Sequence, residues 1–225
     1  MAIDVERESM AYSIQDDPMR AFGSPQNGSR PVAQIGDPAP LGLAALGLTL
    51  MVFSMFNAGL LANSGRPVVL GMALAYGGLA QLLAGMWELR RGNSFGALAF
   101  ASYGAFWLSY WLLQQFFLTD IPARERGSAL GLYFIAWAIF TGLLWVASTR
   151  TTAVVSVMLL ALAVSFLLLG IGEAGTHGQL IKIGGWFGLA ATAAALYGAF
   201  AGAINSTYAR TLLPLVPLER HRPAG

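Results

Sequence analysis

Six apolar stretches divide the chain, at residues 41–62, 67–88, 95–117, 127–148, 152–172 and 184–207. Each is about 20 residues long, roughly 30 Å as a helix, which matches the hydrocarbon core of a bilayer. Backbone polar groups find no water at that depth, so each stretch is predicted to be a helix. The breaks are short: NSGR (63–66), LRRGNS (89–94), TDIPARERG (118–126), TRT (149–151) and EAGTHGQLIKI (173–183). Short breaks make consecutive helices antiparallel neighbours. The pattern predicts an all-α, polytopic membrane protein, with six transmembrane helices over residues 37–208. Residues 1–36 are polar, contain Pro18, Gly23, Pro25, Gly28 and Pro31, and show no periodic apolar face. They are predicted to be a disordered tail, without the apolar region of a signal peptide. Residues 209–225 form a second, shorter tail.

Composition strengthens this picture. Of the 225 residues, 56% are hydrophobic and 11% charged, whereas a soluble domain carries about 25% charged residues. There is no cysteine and there are only two histidines, His177 and His221. No metal site and no cofactor are expected from such a set. The net charge of +2 comes from scattered arginines, not from a basic patch, so no nucleic-acid partner is expected. Six crossings put both termini on one side. That side holds nine arginines, at 7, 20, 30, 90, 91, 150, 210, 220 and 222, against Arg66, Arg124, Arg126 and Lys182 on the other. The positive-inside rule then places both termini in the cytoplasm, with the chain in the plasma membrane.

Chemistry inside the helices is neutral. No Lys, Arg, Asp or Glu lies in the middle of a stretch; Glu88 and Glu173 sit at helix ends. Glu88 is expected to pair with Arg91, three residues on. A relay of buried carboxylates is therefore not expected. A facilitator, a channel, or a symporter whose proton travels on its substrate fits better. The mid-helix polar residues are Thr49, Asn57, Gln81, Thr141, Thr192 and Asn205, with Tyr76, Tyr103 and Tyr197. On helix 1, Leu46, Thr49, Phe53 and Asn57 are spaced +3, +4, +4 and share one face. That face is either a narrow path with a hydrophobic constriction or an ordinary packing face. Gln81 is equally pore lining or interhelical glue. On helix 6, Gly184, Gly188, Thr192, Ala195, Ala199, Gly202 and Ser206 form a small-residue stripe. The stripe invites close helix approach, within or between protomers. FGALAFASYGAF (95–106) and FGLAATAAALYGAF (187–200) are faintly alike, as a 3+3 repeat would be. No G-x-S-x-G, Walker A, H-E-x-x-H or CxxC motif is present, so no enzyme is expected.

Helix 1 opens on DPAPLGL: Asp37, Pro38, Pro40, Leu41, Gly42, Leu43. Pro40 suits a first helical turn, and Asp37 suits a cap. The free N–H groups of such a helix start can also receive an anion. DPAPLGL resembles the NPAPLGL signature of the acetate uptake transporter family, which includes the succinate–acetate permeases. YGGLAQLLAGMWELRRGNSFGALAFASYGAFW (76–107) resembles that family's helix 2–3 block, and GGWFGLAATAAALYGAFAGAIN (184–205) its helix 6. The resemblance implies transport of acetate and of succinate, a homohexamer, and a path through each protomer. It also implies a constriction built from a helix 1 aromatic, the helix 2 tyrosine and an apolar helix 4 residue. These map to Leu46, Tyr76 and the region Phe134–Ala136. Leu46 departs from the aromatic, and Asp37 from the signature asparagine. The competing readings are a channel for a neutral solute such as urea or a short amide, and a non-transporting sensor or scaffold.

Overall fold

The structure is a computed structural model and describes residues 36–218. The expected N-terminal tail, Gly36 aside, lies outside the described residues with its Arg7, Arg20 and Arg30. So do Arg220, His221 and Arg222.

The described chain is helical. Helix α1 is Ala39–Asn57. Helix α2 runs as Val68–Leu74, a π-helical turn Ala75–Ala80, and Gln81–Arg90. Helix α3 is Ser94–Leu112, continued by a π-helical turn Leu113–Phe117. Helices α4, α5 and α6 are Arg126–Ser148, Ala153–Ala174 and Gly178–Thr207. Five spans are long and apolar enough to cross a membrane. The remaining helix, α3, carries Tyr103, Trp107, Tyr110 and Trp111, whose polar atoms lower its hydropathy. All but Trp111 are buried.

Two boundaries differ from the apolar stretches. Helix α1 stops at Asn57, although the apolar run continues to residue 62. Gly59 takes a positive φ of 75° and turns the chain there. Helix α6 starts at Gly178, before the stripe, because EAGTHGQLIKI contains its own turn and then continues helically.

Small residues set the packing. Along the antiparallel pair α1–α6, a Cβ on Gly185 would lie 2.2 Å from Ala58 N, and one on Gly188 2.2 Å from Ser54 Oγ. Further along, Gly47 meets Ala195 and Leu196, and Gly202 meets Pro40. The α6 stripe therefore packs within the chain, closing a seam along α1; Ala195 and Ala199 are buried in it. Gly184 faces α5, where Ser165 Oγ donates to its carbonyl at 2.7 Å. Similar close approaches join α2 to α3 at Gly85 and Gly104, and α4 to α5 at Gly131 and Gly170. Lipid offers helices no hydrophobic drive to associate, so close van der Waals contact takes that role.

The two look-alike motifs occupy unlike surroundings. Tyr103 is buried and donates to Thr141 Oγ1 at 3.0 Å. Tyr197 is exposed and donates to Pro214 O at 2.9 Å. The segment after α6 folds back along the bundle. Asn205 holds it: its Oδ1 accepts from the Leu212 and Leu213 amides, and its Nδ2 donates to Leu213 O. Leu218 N then donates to Thr151 O, beside the start of α5.

Candidate transport path

The expected face of α1 turns fully inward. Leu46, Thr49, Phe53 and Asn57 are all buried. Opposite them, α3 brings Phe106, Trp107 and Tyr110, α4 brings Phe134, and α5 brings Phe166. Phe53 packs against rings from α3 and α4. Its ring lies 5.6 Å from Trp107, 5.5 Å from Tyr110 and 6.1 Å from Phe134, between centroids. Two of these contacts are edge-on, the arrangement that suits aromatic quadrupoles. Phe134 in turn stacks on Phe166 at 6.2 Å. Aromatic rings thus fill the middle of the bundle.

Helix α2 supplies the polar wall. The YGG sequence forms its π turn, a distortion frequently found at functional sites. A Cβ on Gly78 would lie 2.5 Å from the Ala73 carbonyl, so the turn accepts glycine there. A Cβ on Gly77 would meet both Thr49 and Trp107 at 2.8 Å. Glycine here brings α1, α2 and α3 together at one point. Tyr76 is half-buried beside it. Gln81, one turn on, is fully buried. Thr49 Oγ1, Trp107 Nε1 and both amide atoms of Gln81 have no hydrogen-bond partner among the described residues. Leaving such groups unsatisfied is costly, by about 1–3 kcal/mol each. They are neutral donors and acceptors; Ser54 Oγ, Thr192 Oγ1 and one oxygen of the buried Glu88 carboxylate are likewise unpartnered among the described residues.

A cavity opens at each end of the α1 face. The cavity near the start of α1 holds about 220 Å³ and is lined by Leu43, Leu46, Glu88, Phe100, Tyr103 and Met158, among others. The other, beyond the end of α1, holds about 230 Å³ and includes Asn57, Arg66, Glu173 and Lys182. Along α1, the buried Thr49 and Phe53 lie between the residues that line the two cavities. Asn57 Nδ2 donates to Phe53 O at 3.1 Å, and Arg66 Nη2 donates to Asn57 Oδ1 at 3.0 Å. The Arg66 guanidinium also lies 5.9 Å from the Phe53 ring centroid, within cation–π range. Asn205 stands apart from this cluster, engaged with the C-terminal segment.

The expected Glu88–Arg91 pair does not form. Glu88 turns inward toward the start of α3, where Asn93 Nδ2 donates to its Oε2 at 2.9 Å. Arg91 turns outward and pairs with Asp37 at 2.5 Å. Asp37 Oδ1 also accepts from Ala39 N at 3.2 Å. An intramolecular carboxylate and its arginine thus occupy the helix start of DPAPLGL. Asp37→Asn keeps a capping oxygen and removes the charge. Both partners are substantially exposed, so it is expected to cost less than about 1 kcal/mol in thermal unfolding.

Trp107 and Tyr110 were legible in principle. Tyr103, Phe106, Trp107 and Tyr110 recur at i, i+3, i+4 and i+7, the mark of one buried helical face. Arg66 carried no local signal, because its role depends on where the 58–67 loop folds.

The fold and this path define a helical multi-pass membrane protein of the channel and transporter class. The chain belongs to the GPR1/FUN34/yaaH family, which its residues 22–220 match. It is 36% identical over 185 residues to the succinate-acetate/proton symporter SatP of Escherichia coli, covering 81% of this chain and 96% of that protein. It is 38% identical over 197 residues to acetate permease A of Emericella nidulans, covering 81% of this chain and 66% of the relative. It is also 38% identical over 197 residues to ammonia transport outward protein 2 of Saccharomyces cerevisiae, covering 84% and 70%. Among solved structures, the bacterial acetate channel SatP matches with a TM-score of 0.74 and 36% identity, over 81% of this chain and 99% of that one.

Proposed function

We propose that this chain moves acetate and related short carboxylates, succinate among them, across the plasma membrane without catalysing a reaction. The path runs through each protomer of a homohexamer, with both termini in the cytoplasm. The relatives' names support the substrate class. The observation that carries the reading is the set of unpaired neutral polar atoms on Thr49, Gln81 and Trp107, buried inside a bundle that holds a cavity at each end of the α1 face. A carboxylate with a pKa near 4–5 is anionic at pH 7. Neutral donors stabilise such an ion weakly enough for it to leave again, as conduction requires. Phe53 and its aromatic neighbours close the path in this conformation.

Radiolabelled acetate uptake into proteoliposomes tests the proposal, with and without an inward proton gradient. Succinate, urea and formamide serve as competitors. Saturable uptake blocked by short carboxylates is the expected result, and its response to the gradient separates facilitator from symporter. Uptake of urea or formamide without acetate would replace the reading by a neutral-solute channel. Asn57→Ala and Tyr76→Ala are each expected to lower acetate flux several-fold. Unchanged flux and selectivity in both would remove these residues from the path.

A further inference from the structure

The cavity beyond the end of α1 has a chemistry that the closed centre lacks. It collects two cations, Arg66 from the loop after α1 and Lys182 from α6. Among the described residues, neither takes part in an ion pair. The Lys182 stem is held against the chain, with Cε 3.3 Å from the position of a Cβ on Gly59. Glycine at that site, with its φ of 75°, keeps the approach open. Gly178 lines the same cavity at the start of the 30-residue α6. The cap residue His177 makes no side-chain hydrogen bond there. The first amides of a helix carry partial positive charge. Glu173, at the end of α5, is the acidic group in this lining. Arg66 spends one donor on Asn57, and a guanidinium has five. It stands directly over the Phe53 ring that closes the path.

We infer that this cavity is a carboxylate-binding vestibule, in which Arg66 and Lys182 capture a small carboxylate before it passes Phe53. The inference rests on the proposed transport of short carboxylates and deepens it. Arg66 presents the paired donors that match a carboxylate's two oxygens, and Lys182 adds a point charge. Asn57 Oδ1 holds the guanidinium in place. An arriving carboxylate competes with that amide oxygen and, being charged, displaces it. Glu173 opposes capture, which keeps the site weak enough to release its anion inward. The two cations concentrate anions at this mouth and disfavour cations.

The test measures acetate binding and acetate flux on the full chain. Binding is read by saturation transfer to the acetate methyl protons in detergent, and KM by uptake into proteoliposomes. Arg66→Gln is expected to weaken binding and raise KM by about tenfold, the scale of a charged hydrogen bond. Lys182→Gln is expected to act in the same direction but less, because Lys182 is exposed whereas Arg66 is half-buried. Glu173→Gln is expected to act in the opposite direction and tighten binding, a change that a purely structural role for these side chains does not produce. Arg150→Gln, at the other end of the bundle, is expected to leave KM unchanged. Unchanged binding and KM in both Arg66→Gln and Lys182→Gln would overturn the vestibule while leaving acetate transport intact. Wild-type protein that neither binds nor moves acetate would overturn both readings together.

Discussion

Gly185→Leu is expected to abolish the folded bundle. A Cβ on Gly185 would stand 2.2 Å from Ala58 N and 2.7 Å from Asn57 C. Those are backbone atoms at the end of α1, and they cannot rotate aside as a side chain does. Relief requires α1 and α6 to separate, which opens the seam from Gly185 towards Gly202. Overpacking usually costs about 1–3 kcal/mol, and a clash with fixed backbone belongs above that range. Size-exclusion chromatography in mild detergent should show aggregated Gly185→Leu beside monodisperse wild type. Gly188→Leu is expected to fail as well, whereas Gly188→Ala should survive with a lowered melting temperature. The contact at Gly188 is the Ser54 hydroxyl, which can change rotamer. Gly142→Leu is the control, because nothing lies within 4 Å of its Cβ position. Normal folding of Gly185→Leu would mean that α1 and α6 do not pack in this register.

Phe53→Ala is expected to have the largest effect on permeation. The side chain is 1% exposed and fills the space between Trp107, Tyr110 and Phe134. Truncation removes a buried ring that lies on α1 between the residues lining the two cavities. Acetate flux is expected to rise, and discrimination against bulkier carboxylates to fall, in proteoliposomes matched for folded protein. The same change forfeits packing by about 3–5 kcal/mol, so a lower melting temperature should accompany the faster flux. Phe53→Leu retains most of the volume and should keep selectivity. If flux per folded protein and selectivity are both unchanged in Phe53→Ala, the ring is a packing residue only.

Much of the architecture was legible from one-dimensional pattern. Stretches of about 20 apolar residues allow only a helix in lipid, and short breaks force antiparallel neighbours. The inward face of α1 followed from spacing, because Leu46, Thr49, Phe53 and Asn57 repeat with the helical period. The small-residue stripe on α6 was equally visible, but its partner was not. Spacing shows that a helix can be approached closely, never which helix approaches. The pairing of Glu88 shows the same limit. Its nearest arginine in sequence is Arg91, yet Glu88 points inward to Asn93, and Arg91 reaches Asp37, 54 residues away.

Sequence alone determined the class of protein: the helix count and the glycine-lined surfaces. These follow from local hydropathy and period, which act on residues a few positions apart. Only the tertiary structure decided that α6 closes against α1, that aromatics from α3 and α4 pack around Phe53, and that Arg66 and Lys182 share one cavity. Those outcomes depend on long-range contact between segments, where shape and close approach select among many arrangements that local pattern leaves equal.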